Sequence, residues 1–137
     1  MFLTAPASLQ VLIAAKDPLL CAVLQRVVNR LGYIVVATTM SGSTMLGMVT
    51  ALQPDVILMQ VNLSDLDGFE VTQHIQKFCP TPVVLMTHEA KSPELVAKAQ
   101  QAGAGAYLVQ PISDSEIREA IAMVLGHTDG SMPQGQI

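Results

Sequence analysis

Five short apolar runs, each followed by a helical pattern, limit the folds open to this chain more than any other feature. The runs are Val11–Ala14, Tyr33–Thr38, Val56–Met59, Val83–Met86 and Tyr107–Val109. Within them apolar residues do not alternate with polar ones. Strands covered on both faces read this way, as in a parallel sheet flanked by helices. The helices between them are punctuated explicitly. Asp17-Pro18 supplies an N-cap and a proline at the first helical position. Leu20, Leu24, Val27 and Leu31 then form one stripe, which ends at Gly32. Asp67 with Glu70, Ser92-Pro93-Glu94, and Ser113 with Glu116 open three more helices, the last with a capping box. Ile117, Ile121, Val124 and Leu125 share a face of the final helix. The second helix, about Ser43 to Leu52, is the weakest, because Gly47 costs about 1 kcal/mol against Ala in a helix interior.

Strands and helices alternating at this spacing predict an α/β fold, a (βα)5 doubly wound parallel five-stranded sheet of the flavodoxin-like kind. Residues 9–125 form the expected domain. Residues 1–8 read as an N-terminal extension. Residues 126–137 are rich in Gly, Pro, Gln and Ser and read as a flexible tail or the start of a linker.

Composition excludes several functions. The formal net charge is −4 with 7 Lys plus Arg, so there is no electrostatic footprint for nucleic acid. No apolar run approaches the roughly 18 residues of a membrane span. The first eight residues lack a basic, then apolar, secretory pattern. A cytoplasmic domain is expected. Only 13% of the residues are charged, against about 25% in an ordinary soluble domain. A core-rich fold and a surface that meets a partner both produce such a deficit. Cys21 and Cys79 fall in expected helices, lack metal spacing and read as half-buried free thiols. His74, His88 and His127 share no ligand spacing and read as surface residues. Met40, Met45 and Met48 read as gap-filling core or as an adaptable contact surface.

In an open α/β sheet, ligands sit beyond the carboxyl ends of the strands. The residues there are Ala15, Lys16 and Asp17; Gln60; Thr87; and Gln110-Pro111. Around them the sequence resembles a known family. Val11-Leu12-Ile13 with Asp17-Pro18-Leu19-Leu20 resembles the opening of the CheY-like receiver domains of two-component response regulators. Pro54 to Met59 and Asp67 to Val71 are similar to the family's central stretch. Thr81 to Thr87 and Ala102-Gly103-Ala104 with Tyr107-Leu108-Val109 and Pro111-Ile112 are similar to its fourth- and fifth-strand regions. The resemblance spans about residues 9–125.

The resemblance implies phosphoryl-transfer chemistry. An acidic pair after the first strand would hold Mg²⁺, a hard cation that prefers carboxylate oxygens. An Asp ending the third strand would accept the phosphoryl group, and a Lys after the fifth would pair with it. A Thr after the fourth strand and an aromatic on the fifth would act as switches. Only Thr87 and Tyr107 match. Ala15 and Lys16 stand at the acidic pair, Gln60 at the acceptor and Gln110 at the Lys. A carboxamide does not form an acyl phosphate, and Lys16 repels a cation. Asp17 remains, with helix capping as its better-explained role. The pattern is that of a pseudo-receiver with no catalytic residues and no metal or other cofactor. Lys16, Gln60, Thr87 and Gln110 are expected to hydrogen-bond to one another, with Lys16 replacing the metal's charge. The family resemblance also implies a cis peptide before Pro111.

The leading reading is a non-enzymatic protein-interaction module that dimerises or docks through the face of the fourth helix, fifth strand and fifth helix. Lys98, Gln101, Tyr107 and Arg118 are its expected contacts. Two alternatives are a phosphorylatable receiver using a non-standard acid and a small-molecule-sensing flavodoxin-like domain. The latter lacks a glycine-rich phosphate loop.

Overall fold

The computed structural model describes residues 9–126. Five strands alternate with five helices: β1 (Gln10–Ala14), α1 (Pro18–Arg30), β2 (Ile34–Thr39), α2 (Gly42–Leu52), β3 (Val56–Gln60), α3 (Gly68–Phe78), β4 (Val83–Thr87), α4 (Pro93–Ala102), β5 (Ala106–Val109) and α5 (Asp114–Val124). All pairings are parallel, in the order β2-β1-β3-β4-β5. The expected (βα)5 doubly wound sheet is therefore the fold. The extension at 1–8, His127 and the rest of the tail lie outside the described residues.

Strand pleating divides the core in two. Along β1, Val11 and Ile13 face α1 and α5, where they meet Leu24, Val28, Ile117 and Ile121. Leu12 and Ala14 face the other way, towards Met45 and Val49 of α2, Phe69 and Ile75 of α3, and Ala99 of α4. Both faces of β1, β3 and β4 are covered, which explains why their sequences do not alternate. The same reasoning misjudges β2. It is an edge strand, half-buried to exposed along its length, with a register shift opposite Val11/Leu12.

The caps follow the sequence closely. Asp17, Ser92 and Ser113 cap α1, α4 and α5, and Ser113 and Glu116 form the reciprocal box. Asp67 caps α3 by accepting from Phe69 N–H. Cys79 is the C-cap of α3 and not part of the helix, because proline follows it and the backbone turns extended there. Both cysteines are free and half-buried. His74 and His88 are exposed, as expected. Of the three methionines near α2, Met45 is fully buried, Met48 half-buried and Met40 55% exposed.

Two glycines have opposite roles. Gly68 begins α3 directly beneath the end of β3, and its N–H donates to Val61 O at 2.6 Å. A Cβ at Gly68 would lie 2.8 Å from Val61 Cα and 2.9 Å from Gln60 O, whereas one at Gly47 would meet nothing within 4 Å. Gly68→Ala is expected to destabilise by about 1–3 kcal/mol, since backbone must move to relieve the overlap. Gly47→Ala is expected to stabilise by about 1 kcal/mol through helix propensity. Urea unfolding of the two variants checks both signs.

Candidate functional site

The chain order of the strands reverses between β1 and β3, so the crevice at their carboxyl ends is the natural site of such a sheet. The predicted residues do gather there. Gln60 ends β3 with its side chain only 5% exposed. A buried carboxamide must find partners or forfeit roughly 1–3 kcal/mol. Gln60 Oε1 finds two, accepting from Lys16 N–H at 2.9 Å and Asp17 N–H at 3.1 Å. These bonds tie the end of the central strand to the turn that opens α1. Ala15, 1% exposed, packs into the α1/α5 core, and its N–H donates to Thr39 O at 2.9 Å. Asp17 is occupied with capping: its Oδ1 accepts from Leu19 N–H at 3.0 Å.

The expected network of side chains does not form. The Lys16 side chain points to solvent and makes no ion pair among the described residues, so only its backbone contributes. Thr87 Oγ1 accepts from Glu89 N–H at 3.1 Å and stays within its own turn. Gln110 N–H donates to Thr87 O at 2.7 Å, but Gln110 Oε1 is buried without a partner. Gln60 and Thr87 instead accept from backbone amides, which in tight turns are already in place and cost no side-chain ordering. The Gln110–Pro111 peptide is cis, as the family resemblance implies.

Tyr107 is 1% exposed and packs beside Phe69, with ring centroids 6.3 Å apart. It is a core residue and not the surface contact expected of it. Its hydroxyl makes no hydrogen bond. Burial, then the negative charge of Glu89, push the phenol's pKa up; nearby Thr87 offsets part of that push without closing a bond. Lys98, Gln101 and Arg118 are exposed on the α4–α5 side as expected. Lys98 Nζ sits 5.0 Å from the Phe69 ring centroid.

Asp65 lies in the loop between β3 and α3, and the structure gives it a part in holding α2. Its carboxylate accepts from Ser43 Oγ, from Gly42 N–H at 2.6 Å, from Ser41 Oγ at 3.0 Å and from Ser43 N–H at 3.2 Å. It thus caps α2 from 22 residues away, beside the Ser41 cap. Nothing local in the sequence links Asp65 to Ser43, so no pattern could have revealed it. These bonds, that from Ser43 foremost, hold the Asp65 carboxyl far below the usual carboxylate range.

The crevice of this parallel sheet is that of a signalling receiver. The chain belongs to the response regulator receiver domain family, which matches residues 11–122. It is 36% identical over 106 residues to protein-glutamate methylesterase/protein-glutamine glutaminase 1 of Syntrophus aciditrophicus, covering 75% of this chain and 30% of that protein. It is 30% identical over 116 residues to the transcriptional regulatory protein PdtaR of Mycobacterium tuberculosis, covering 85% of this chain and 56% of that protein. The chain thus spans about half or less of these relatives' lengths. The signal receiver domain of NarL from Mycobacterium tuberculosis superposes with a TM-score of 0.83 at 26% identity, covering 90% of this chain and all of that one. The response regulator domain of Thermotoga maritima CheB gives a TM-score of 0.80 at 23% identity, covering 87% of this chain and 97% of that one. Among the described residues no helix is long and apolar enough to cross a membrane.

Two consequences are measurable. Tyr107→Phe removes a buried hydroxyl that has no partner, so stability should hold or rise by up to about 1 kcal/mol. A clear loss in urea unfolding would mean that the hydroxyl is bonded. A carboxyl depressed in the fold contributes stability above its unfolded pKa, near 4, and loses it as pH falls below that value. Asp65→Asn should therefore melt lower than the parent at pH 7, and the difference should shrink as the pH is lowered from 4 towards 2.

Proposed function

We propose that this receiver domain does not accept a phosphoryl group and works as a protein-binding module whose crevice is held in one conformation. The observation that carries this reading is Gln60, whose buried amide oxygen accepts from both Lys16 N–H and Asp17 N–H. The group at the position of the family's acceptor is thus a weak nucleophile, and its oxygen is already engaged. The donors do not suit Mg²⁺, which requires several hard oxygens in near-octahedral order. Ala15 offers none, Lys16 brings a positive charge, and Asp17 is committed to the helix cap. No group of three or more His, Cys, Asp or Glu side chains gathers among the described residues. Without charge neutralisation and positioning, phosphoryl transfer loses nearly all its catalysis.

In this reading the partner is a protein and not nucleic acid, and it meets the α4–β5–α5 face through exposed Lys98, Gln101 and Arg118. Tyr107 contributes by filling the core behind that face. A receiver phosphorylated on another acid is disfavoured because Asp65 and Asp67, the nearest carboxylates after β3, are both engaged in capping.

Acetyl phosphate with Mg²⁺ should leave the intact mass unchanged, and millimolar Mg²⁺ should leave the amide resonances of Asp17 and Gln60 unmoved. Gln60→Asp alone should restore little or no phosphorylation. Ala15→Asp, Lys16→Asp and Gln110→Lys should be needed with it, since groups that act as a unit are strongly non-additive. Ordinary receiver rates from Gln60→Asp alone would show that Ala15 and Lys16 are not disabling.

A further inference from the structure

From Leu31 to Pro54 the chain runs 24 residues without an Asp, Glu, Lys, Arg or His. At the overall charged content of 13%, about three charges would be expected in such a length. The fold places this whole stretch at one side of the molecule, because it comprises the edge strand β2, the helix α2 and the turns joining them. Three of the five exposed large apolar side chains among the described residues lie in it: Ile34 (48%), Met40 (55%) and Leu52 (39%). Of the charges that border it, three are engaged within the domain, while Arg26 of α1 is exposed beside it. Arg30 pairs with Asp114 at 3.1 Å, Asp55 accepts from Gln10 N–H at 2.7 Å, and Asp65 caps α2. A cavity of about 410 Å³ opens at the same edge, between α1 and the end of β2. Its lining is uncharged, with Ala15, Pro18, Cys21, Gln25, Thr38 and Met40 among its walls.

We infer that the β2–α2 edge is a self-association face whose occupant is the same face of a second copy of this chain. Charge selects that occupant. The chain carries a net charge of −4, so two copies repel over most of their surfaces. Apposing the two uncharged edges about a two-fold axis brings apolar groups together and keeps the acidic remainder apart. A charged partner would find no opposite charge between Leu31 and Pro54 to pair with, and isologous contacts are the commonest closed arrangement. Size sets the strength. The edge strand is about 20 Å long, a short side for an interface whose standard size is ~800 Å² per partner. Weak, concentration-dependent association is therefore expected. The opposite edge, with β5, α4 and α5, remains free for the partner proposed above, and the two inferences stand independently.

Gly47 provides a clean test. It is exposed near the middle of α2 and a side chain there meets nothing, so Gly47→Glu puts a charge on the face without disturbing the core. Sedimentation velocity of the full chain, under reducing conditions from 1 µM to about 1 mM, should show a monomer–dimer equilibrium. Gly47→Glu should weaken it at least tenfold, as should Ile34→Lys, whereas Arg118→Glu on the opposite edge should leave it unchanged. A chain that stays monomeric throughout, or a dimer broken by Arg118→Glu and indifferent to Gly47→Glu, would overturn the inference.

Discussion

Strand β3 has no exposed side chain, and much of the structure follows from that. A strand buried on both faces at the centre of a parallel sheet leaves no polar group at its end without obligations. In this chain that end is Gln60. Its amide oxygen is satisfied by the turn after β1, so the central strand, its neighbour and the start of α1 are joined at one point. Gly68 then packs against the same strand end from the other side, close enough that no side chain fits there. Packing and neutral hydrogen bonds hold this strand end, and beside it a cavity of about 340 Å³ opens between Asp17, Leu20, His88, Gln110 and Pro111.

The fold was legible because its signals are local and agree with one another. Apolar runs without alternation marked the buried strands, and Asp17, Ser92 and Ser113 marked helix starts that the structure reproduces. The candidate site was legible in its membership but not in its bonding. Which residues reach the crevice follows from strand order. Whether Gln60 bonds to the Lys16 side chain or to its backbone depends on distances that no pattern carries. Tyr107 shows the same limit: its position on β5 was correct, and its inward direction followed from the strand's pleat against Phe69. Edge strand β2 was misjudged for a different reason. Its apolar run resembles that of a buried strand, yet one flank has no neighbour among the described residues.

That mismatch separates the two sides of the sheet. The α4–β5–α5 side carries a mixture of charges, including Glu94, Lys98, Asp114, Arg118 and Glu119, suited to discriminating between partners. The β2–α2 side carries none and is suited to contacts that depend on shape and apolar burial. The two edges of a single sheet therefore differ in chemistry, one of mixed charge and the other without charge.

The carboxamide of Gln60 has one more consequence. A receiver crevice built from clustered carboxylates and a metal changes with acidity, chelators and salt, because every contact in it involves a formal charge. The tie between Gln60 and the amides of Lys16 and Asp17 involves no titrating group. Screening by salt acts on charges and barely touches a buried neutral hydrogen bond. That tie therefore does not loosen with acidity or salt as long as the domain remains folded.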